Sequence, residues 1–206
     1  MNKDYNGNED DRDLGLNNVS KEYLRKIIID YGAQVCGFAG IERFEDAPSG
    51  LHPSDIYSEC KSVVAFGVSL PKGLYMVDSR VINEHFNNDI CRKVDEIAYK
   101  IALLIERAYS GIAVPIPADG PYEYWDAERL EGRGLLSMKQ VAVQAGLGTL
   151  GKNTLFLNQS YGNRLTLGCV LTNIVVDSDS YAEPLCLSNC NQCRTVCPMR
   201  FGDCVV

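Results

Sequence analysis

Four thiols stand at metal-ligand spacing near the carboxyl end of this 206-residue chain. Cys186, Cys190, Cys193 and Cys197 read C-x3-C-x2-C-x3-C, and Pro198 follows at once. The stretch C-x2-C-x3-C-P is the second half of the C-x2-C-x2-C-x3-C-P run that ligates iron–sulfur clusters. Thiolates this close together converge on one soft metal centre without long loops to close. All-thiolate ligation suits zinc as well as an iron–sulfur cluster. The proline directly after the last cysteine favours [4Fe–4S] over zinc, and both over disulfides or free thiols.

A second candidate is the glycine loop Ala145-Gly-Leu-Gly-Thr-Leu-Gly-Lys-Asn153. It contains G-x-G-x-x-G (Gly146, Gly148, Gly151) and a near miss to the P-loop, in which Asn153 replaces the hydroxyl that would reach magnesium. Both nucleotide motifs need a strand before the loop and a helix after it. Here a capped helix is expected before the loop and a strand after it, so neither motif has its setting. Two readings remain. One is a helix-to-strand turn whose glycines take positive φ. The other is a bare backbone that a planar or anionic ligand can approach, with Gly146, Gly148, Gly151, Lys152 and Asn153 as the cofactor-binding residues.

Composition narrows the classes of function. The chain is 46 % hydrophobic and 23 % charged, ordinary for a globular protein, and its net charge of −7 argues against nucleic acid as a partner. No stretch approaches the ~20 apolar residues of a membrane span. The segment Met1–Asp13 has no signal-peptide pattern, so a cytoplasmic location is expected, where clustered cysteines mean metal or redox chemistry. The expected partners are a small-molecule cofactor or substrate and a redox protein. With only His52 and His85, histidine chemistry has little to work with. Cys36, Cys60 and Cys91 lie in apolar or helical context and read as buried thiols.

These groups need a scaffold. Residues 1–18 are polar and read as a leader. Ser20 caps a helix to about Tyr31, closed by Gly32, and Gln34–Ile41 reads as a strand. A helical turn is expected near Pro53–Cys60, and Ser62–Leu70 reads as a buried strand. Apolar spacing predicts a long helix over Val81–Tyr109, stopped by Gly111. Ile112–Ala118, with two prolines, reads as an edge strand. Residues 119–135 show no period, although Pro121-Tyr-Glu-Tyr-Trp125 gathers aromatics as a packed loop or a lid over a flat cofactor. Ser137 opens a helix ending at Gly146; Thr154–Leu157 and Arg164–Val176 read as strands. The expected fold is α/β or α+β: one mixed sheet flanked by helices over residues 19–180, with a small cysteine module at 181–206.

The string Ser137-Met-Lys … Gln-Ala-Gly-Leu-Gly-x-x-Gly-Lys-Asn-Thr-Leu155, then Tyr161-Gly162, Val170-Leu-Thr172 and the cysteine run, resembles the epoxyqueuosine reductase-like iron–sulfur proteins. The resemblance covers roughly residues 62–200. It implies a cobalamin-binding domain followed by a ferredoxin-like module, in which electrons pass through clusters to cobalamin and reduce an epoxide on a tRNA nucleoside. It also implies an acidic proton donor after the strand preceding the glycine loop, where Asp119 is the nearest match. The chain departs from the family pattern in carrying one cysteine run instead of two, with Leu187 where the first ligand would lie and Cys186 one residue early. In two-cluster ferredoxins the fourth cysteine serves the other cluster. Here Cys197 closes the same cluster, or Cys204 or Cys169 supplies the fourth ligand. A non-enzymatic module that binds a corrinoid or another small ligand, stapled by a structural metal, is the competing reading.

Overall fold

The computed structural model describes residues 20–119, 123–128 and 131–197. The leader expected at 1–18, as well as Pro121, Tyr122 and Cys204, lies outside the described residues. Helix α1 (Lys21–Asp30) starts where the Ser20 side chain accepts the Tyr23 N–H, and Gly32 at φ +110° closes it. Strand β1 (Val35–Gly40) follows, then the short α2 (Pro53–Ile56) and β2 (Ser62–Ser69). Helix α3 (Arg80–Tyr109) runs thirty residues from its Ser79 cap. Its left-handed stop is Ser110, at φ 51°, one residue before the glycine expected to supply it. Then come β3 (Ala113–Ile116), the hairpin β4 (Tyr124–Asp126) and β5 (Glu131–Arg133), α4 (Met138–Gln144), the two-residue strands β6 (Thr149–Leu150) and β7 (Phe156–Leu157), β8 (Leu165–Thr172) and α5 (Gln192–Thr195).

The main sheet has the order β1-β2-β8-β3. The chain is α+β, one sheet flanked by helices. Strands β2 and β3 run parallel to each other, joined by the crossover helix α3. But β8 inserts between them, so the sheet expected to be mixed is antiparallel at every adjacent pairing. The central strands are buried on both faces, which is why Ser62–Ser69 reads as a continuous apolar run. Val64, Phe66 and Val170 meet Leu24 and Ile28 of α1 and Val94, Ile97, Ile101 and Ile105 of α3. Val63, Ala65, Leu167, Cys169 and Leu171 meet Val141 and Ala142 of α4, together with Ala145, Leu147 and Phe156. At Gly168 a Cβ would lie 2.4 Å from Val94 Cγ1, so the missing side chain is what lets α3 approach β8.

Both sheet edges are managed. Pro115 sits in β3, the edge strand away from β1. The outer edge of β1 is covered by the strap that follows β8. The Asp179 N–H donates to the Phe38 carbonyl, the Asp179 carboxylate accepts the Phe38 N–H, and Ser178 Oγ accepts the Gly40 N–H. Arg25 donates to the Cys36 carbonyl and, at 2.8 Å, to Asp179. Among the described residues no helix is long and apolar enough to cross a membrane.

Candidate functional site

Helix α4 delivers the glycine loop. Its C-terminus is a full Schellman closure: the Leu147 N–H bonds the Ala142 carbonyl and the Gly146 N–H bonds the Val143 carbonyl, with Gly146 at φ +73°. A Cβ on Gly146 would also lie 2.2 Å from the Ser180 carbonyl, and one on Gly148 would lie 2.1 Å from the Leu157 carbonyl. These two glycines are therefore accounted for by turn chemistry and by the close approach of the strap and of β7. Gly151 accepts the Thr154 N–H at its carbonyl, and Asn153 Oδ1 accepts the Leu155 N–H across a local turn. No helix follows the loop; β6 and β7 pair with each other across it. The setting of a phosphate-binding loop is absent, as the order of elements implied.

Lys152 turns the other way, towards the cysteines. Its ammonium donates to the carbonyls of Leu187 (3.2 Å), Ser188 (2.6 Å) and Cys190 (2.8 Å). An ammonium has three N–H bonds, and this one spends all three on a single loop. Further tethers hold the path from β8 to that loop. Tyr181 Oη donates to Gln144 Oε1 under the Arg43 guanidinium, and the Leu185 N–H donates to Thr149 Oγ1. The sequence placed Lys152 near a ligand; it gave no hint that the partners would be peptide carbonyls of residues 187–190.

The four thiols of the run are free and half-exposed, within twelve residues built around the single turn of α5. Among the described residues no three Cys, His, Asp or Glu side chains stand together as a metal cage, so the thiols share a loop without meeting at one point. Their chemistry still fits a thiolate-bound centre: four soft donors, no disulfide, a tethered backbone and room to turn. Cys169 does not share that freedom. It lies in the middle of β8, wholly buried, and burial raises its pKa, with Cys60 adding to the rise. It cannot reach the cysteine loop without breaking the sheet. Cys36 and Cys60 are buried as expected, and burial pushes the Cys36 thiol up to about 12 although Arg25 opposes it. Cys91, expected to be buried, is only half-buried on α3, where it packs against the core cluster on that face of the sheet.

An apolar cleft of about 230 Å³ opens beside the same glycine loop, lined by Ala118, Met138, Leu155, Phe156, Leu165 and Leu167, with Lys139 and Asn163 at its polar rim. Lys139 holds its wall by donating to the Thr154 carbonyl at 3.1 Å; Thr154 takes φ 60°. The cleft is open and shallow, so it fits one face of a flat ligand and is too small to enclose one. Asp119 follows Ala118 and is exposed. Its position is fixed from α3, where Asp95 Oδ1 accepts the Ala118 N–H at 2.8 Å. Tyr124 and Trp125 are exposed on the β4–β5 hairpin and do not form part of the packed core. A larger cleft, about 370 Å³, lies between Arg43–Leu51 and α4 and was not foreseen from the sequence.

No family model matches the chain. Over 65 residues it is 46 % identical to an epoxyqueuosine reductase of Listeria monocytogenes, a stretch that covers 32 % of this chain and 17 % of that protein. Over 219 residues it is 23 % identical to the epoxyqueuosine reductase of Lactococcus garvieae, covering 89 % and 57 %. Among solved structures, an epoxyqueuosine reductase bound to a modified tRNA-Tyr stem loop superposes with a TM-score of 0.64 at 19 % identity, covering 86 % of this chain and 51 % of the other. A reductive dehalogenase, described with a mechanism for B12-dependent dehalogenation, superposes over 79 % of this chain and 21 % of its own, with a TM-score of 0.50 at 16 % identity. At such identities the structural likeness is one of fold. The chain spans about half the length of the relatives it matches most widely. The RNA ligand of the first neighbour qualifies the expectation drawn from net charge: this fold carries nucleic acid in at least one relative. In sequence and in fold, the chain is similar to the epoxyqueuosine reductases.

Proposed function

We propose that the chain is a reductase-type iron–sulfur protein, which passes electrons to a cofactor or substrate held in the cleft beside residues 149–157. Cys186, Cys190, Cys193 and Cys197 would hold a [4Fe–4S] cluster. Met138, Leu155, Phe156 and Leu165 would carry cobalamin, the cofactor that the named chemistry of the dehalogenase neighbour supports. When bound, the cluster supplies single electrons and the corrinoid accepts them. Asp119, beside the cleft wall at Ala118, is the proposed proton donor. The strap would deliver the cysteine module (181–206) to the body (19–180). A cytoplasmic location and a protein electron donor complete the proposal. The substrate class to test first is an epoxide, as the relatives' name states, with an RNA stem loop as its carrier.

The observation that carries this reading is the double use of one short loop. Lys152 and Thr149 hold the thiol-bearing segment, while Leu155 and Phe156 line the cleft. Donor and acceptor would thus be held by neighbouring residues of the same turn. The test is an oxygen-free preparation of the full chain. A brown protein with about four irons per chain, lost on Cys193→Ser, is expected. A shift in the cobalamin spectrum on adding the protein would support the corrinoid. A colourless protein with one zinc would replace this reading with a metal-stapled binding module. A protein that takes up neither metal would end both.

A further inference from the structure

The cleft of about 370 Å³ between residues 43–51 and α4 has no part in the electron transfer proposed above. Phe44, Ala47, Leu51, Leu136 and Val141 form its apolar wall, and Phe44, Leu136 and Val141 are buried. Its size falls in the range of sites that hold small molecules, which pair an apolar lining with a few fixed polar groups. It shares no lining residue with the cleft beside residues 149–157. Helix α4 gives Met138 and Lys139 to that cleft, and Gln140, Val141 and Gln144 to this one.

The rim holds a cation that is fixed in place and without a counter-ion. Arg43 is gripped from two sides: Nη1 donates to the Gln144 carbonyl, and the guanidinium carbon lies 4.2 Å from the centre of the Tyr181 ring. Tyr181 Oη donates to Gln144 Oε1 at 2.9 Å, which leaves the Gln144 side-chain NH2 as a donor at the same rim. Of the guanidinium's N–H groups, only one at Nη1 has a protein acceptor among the described residues. No carboxylate of the described residues lies within ion-pair distance of it, Asp46 at the exposed mouth included. Such a cation beside an apolar hollow selects an anion with an apolar body.

We infer that this cleft is a second ligand site, for a small apolar monocarboxylate. The carboxylate accepts from the Arg43 guanidinium and the Gln144 amide, and the apolar body lies against Phe44, Leu51, Leu136 and Val141. The planar fork of arginine matches a carboxylate. Asp46 and the net charge of −7 oppose a doubly charged group such as a phosphate monoester. The site needs neither the cluster nor the corrinoid proposed above.

The experiment uses the full chain with labelled methyl groups, titrated at neutral pH with octanoate and, separately, with octanol, and followed by nuclear magnetic resonance. Octanoate is expected to saturate one site, moving the methyl signals of Leu51, Leu136 and Val141 and leaving those of Leu155 and Leu165 in place. Octanol, alike in length but uncharged, should bind about tenfold more weakly, the equivalent of one hydrogen bond to a charged group. Arg43→Met should remove that preference and leave the two probes equal. Ala47→Trp, which fills the cleft from its half-buried wall, should weaken both. Equal affinity of wild type for the two probes would overturn the assignment. So would shifts centred on Leu155 and Leu165, or a titration that never saturates. These three outcomes are read on the wild-type chain, so they decide the matter even where a variant does not fold.

Discussion

Replacing Asp179 with alanine should loosen the strap that links the sheet to the cysteine loop. The carboxylate accepts from Lys21 at 2.7 Å, from Arg25 at 2.8 and 2.9 Å, and from the Phe38 N–H at 3.0 Å, with 20 % of its side chain exposed. Hydrogen bonds to charged groups contribute roughly 1.5–3 kcal/mol each when shielded from water. Partial exposure puts these at or below the low end, and Arg25 keeps the Cys36 carbonyl and Glu22 as partners after the loss. The expected destabilisation is about 3 kcal/mol, below the figure for breaking a fully buried pair. For a chain of this size it corresponds to a fall in Tm of about 6–12 °C, read by scanning calorimetry at neutral pH. The effect has a pH signature. Burial works to raise the Asp179 pKa, but the bonds from Lys21 and Arg25 outweigh it and hold the carboxyl below its ordinary value. A depressed carboxyl contributes its full stability above the unfolded pKa, about 3.9, and loses it as pH falls through the lower folded value. The gap between wild type and Asp179→Ala should therefore close below about pH 4. Asp179→Asn, which keeps an acceptor for the Phe38 N–H, should lie between the two. A shift of less than about 2 °C at pH 7 would refute the account of the strap as a structural tie, and a gap that is flat with pH would refute its electrostatic part.

Other expectations are simpler. Gly146→Ala meets both a left-handed φ and the Ser180 carbonyl, and should cost about 3 kcal/mol in urea unfolding, whereas Gly162→Ala, at φ 60° with open space, should cost about 1 kcal/mol. Ile101→Ala empties a fully buried site under the sheet and should lower stability by about 3–4 kcal/mol, measured the same way. Iodoacetamide on the native, metal-free chain should label Cys186, Cys190, Cys193 and Cys197 and spare Cys36, Cys60 and Cys169, whose pKa values are all raised by burial; mass spectrometry of the digest reads this directly, and iron should then protect the first four.

Much of the scaffold is legible in local chemistry. Ser20 and Ser137 each cap the helix that follows, Gly32 and Gly146 each close one, and the apolar run at Ser62–Ser69 is the strand buried on both faces. What eludes the sequence is non-local. Nothing near Leu165 says that β8 will part β2 from β3, and a βαβ alternation points to parallel neighbours instead. The β4–β5 hairpin lacks an alternating pattern because it packs little apolar surface, and β6 and β7 are too short to show one. The chemistry divides in the same way. The thiols announce themselves by spacing, and the order helix–loop–strand disqualifies the nucleotide motifs. The contacts that give Lys152 and Asp179 their work join residues 35 to 158 positions apart, and only the folded chain brings them together.

The position of β8 bears on how the molecule comes into being. During synthesis β2 and β3 emerge early, each with one side of its backbone waiting for a strand that is made much later. Until then the hydrophobic sheet is incomplete, and such open, sticky edges invite wrong partners. The strap and the thiols leave the ribosome directly after β8. Closure of the sheet and docking of the cysteine-bearing loop are therefore one late event, and a newborn chain cannot seat that loop until its centre has been filled.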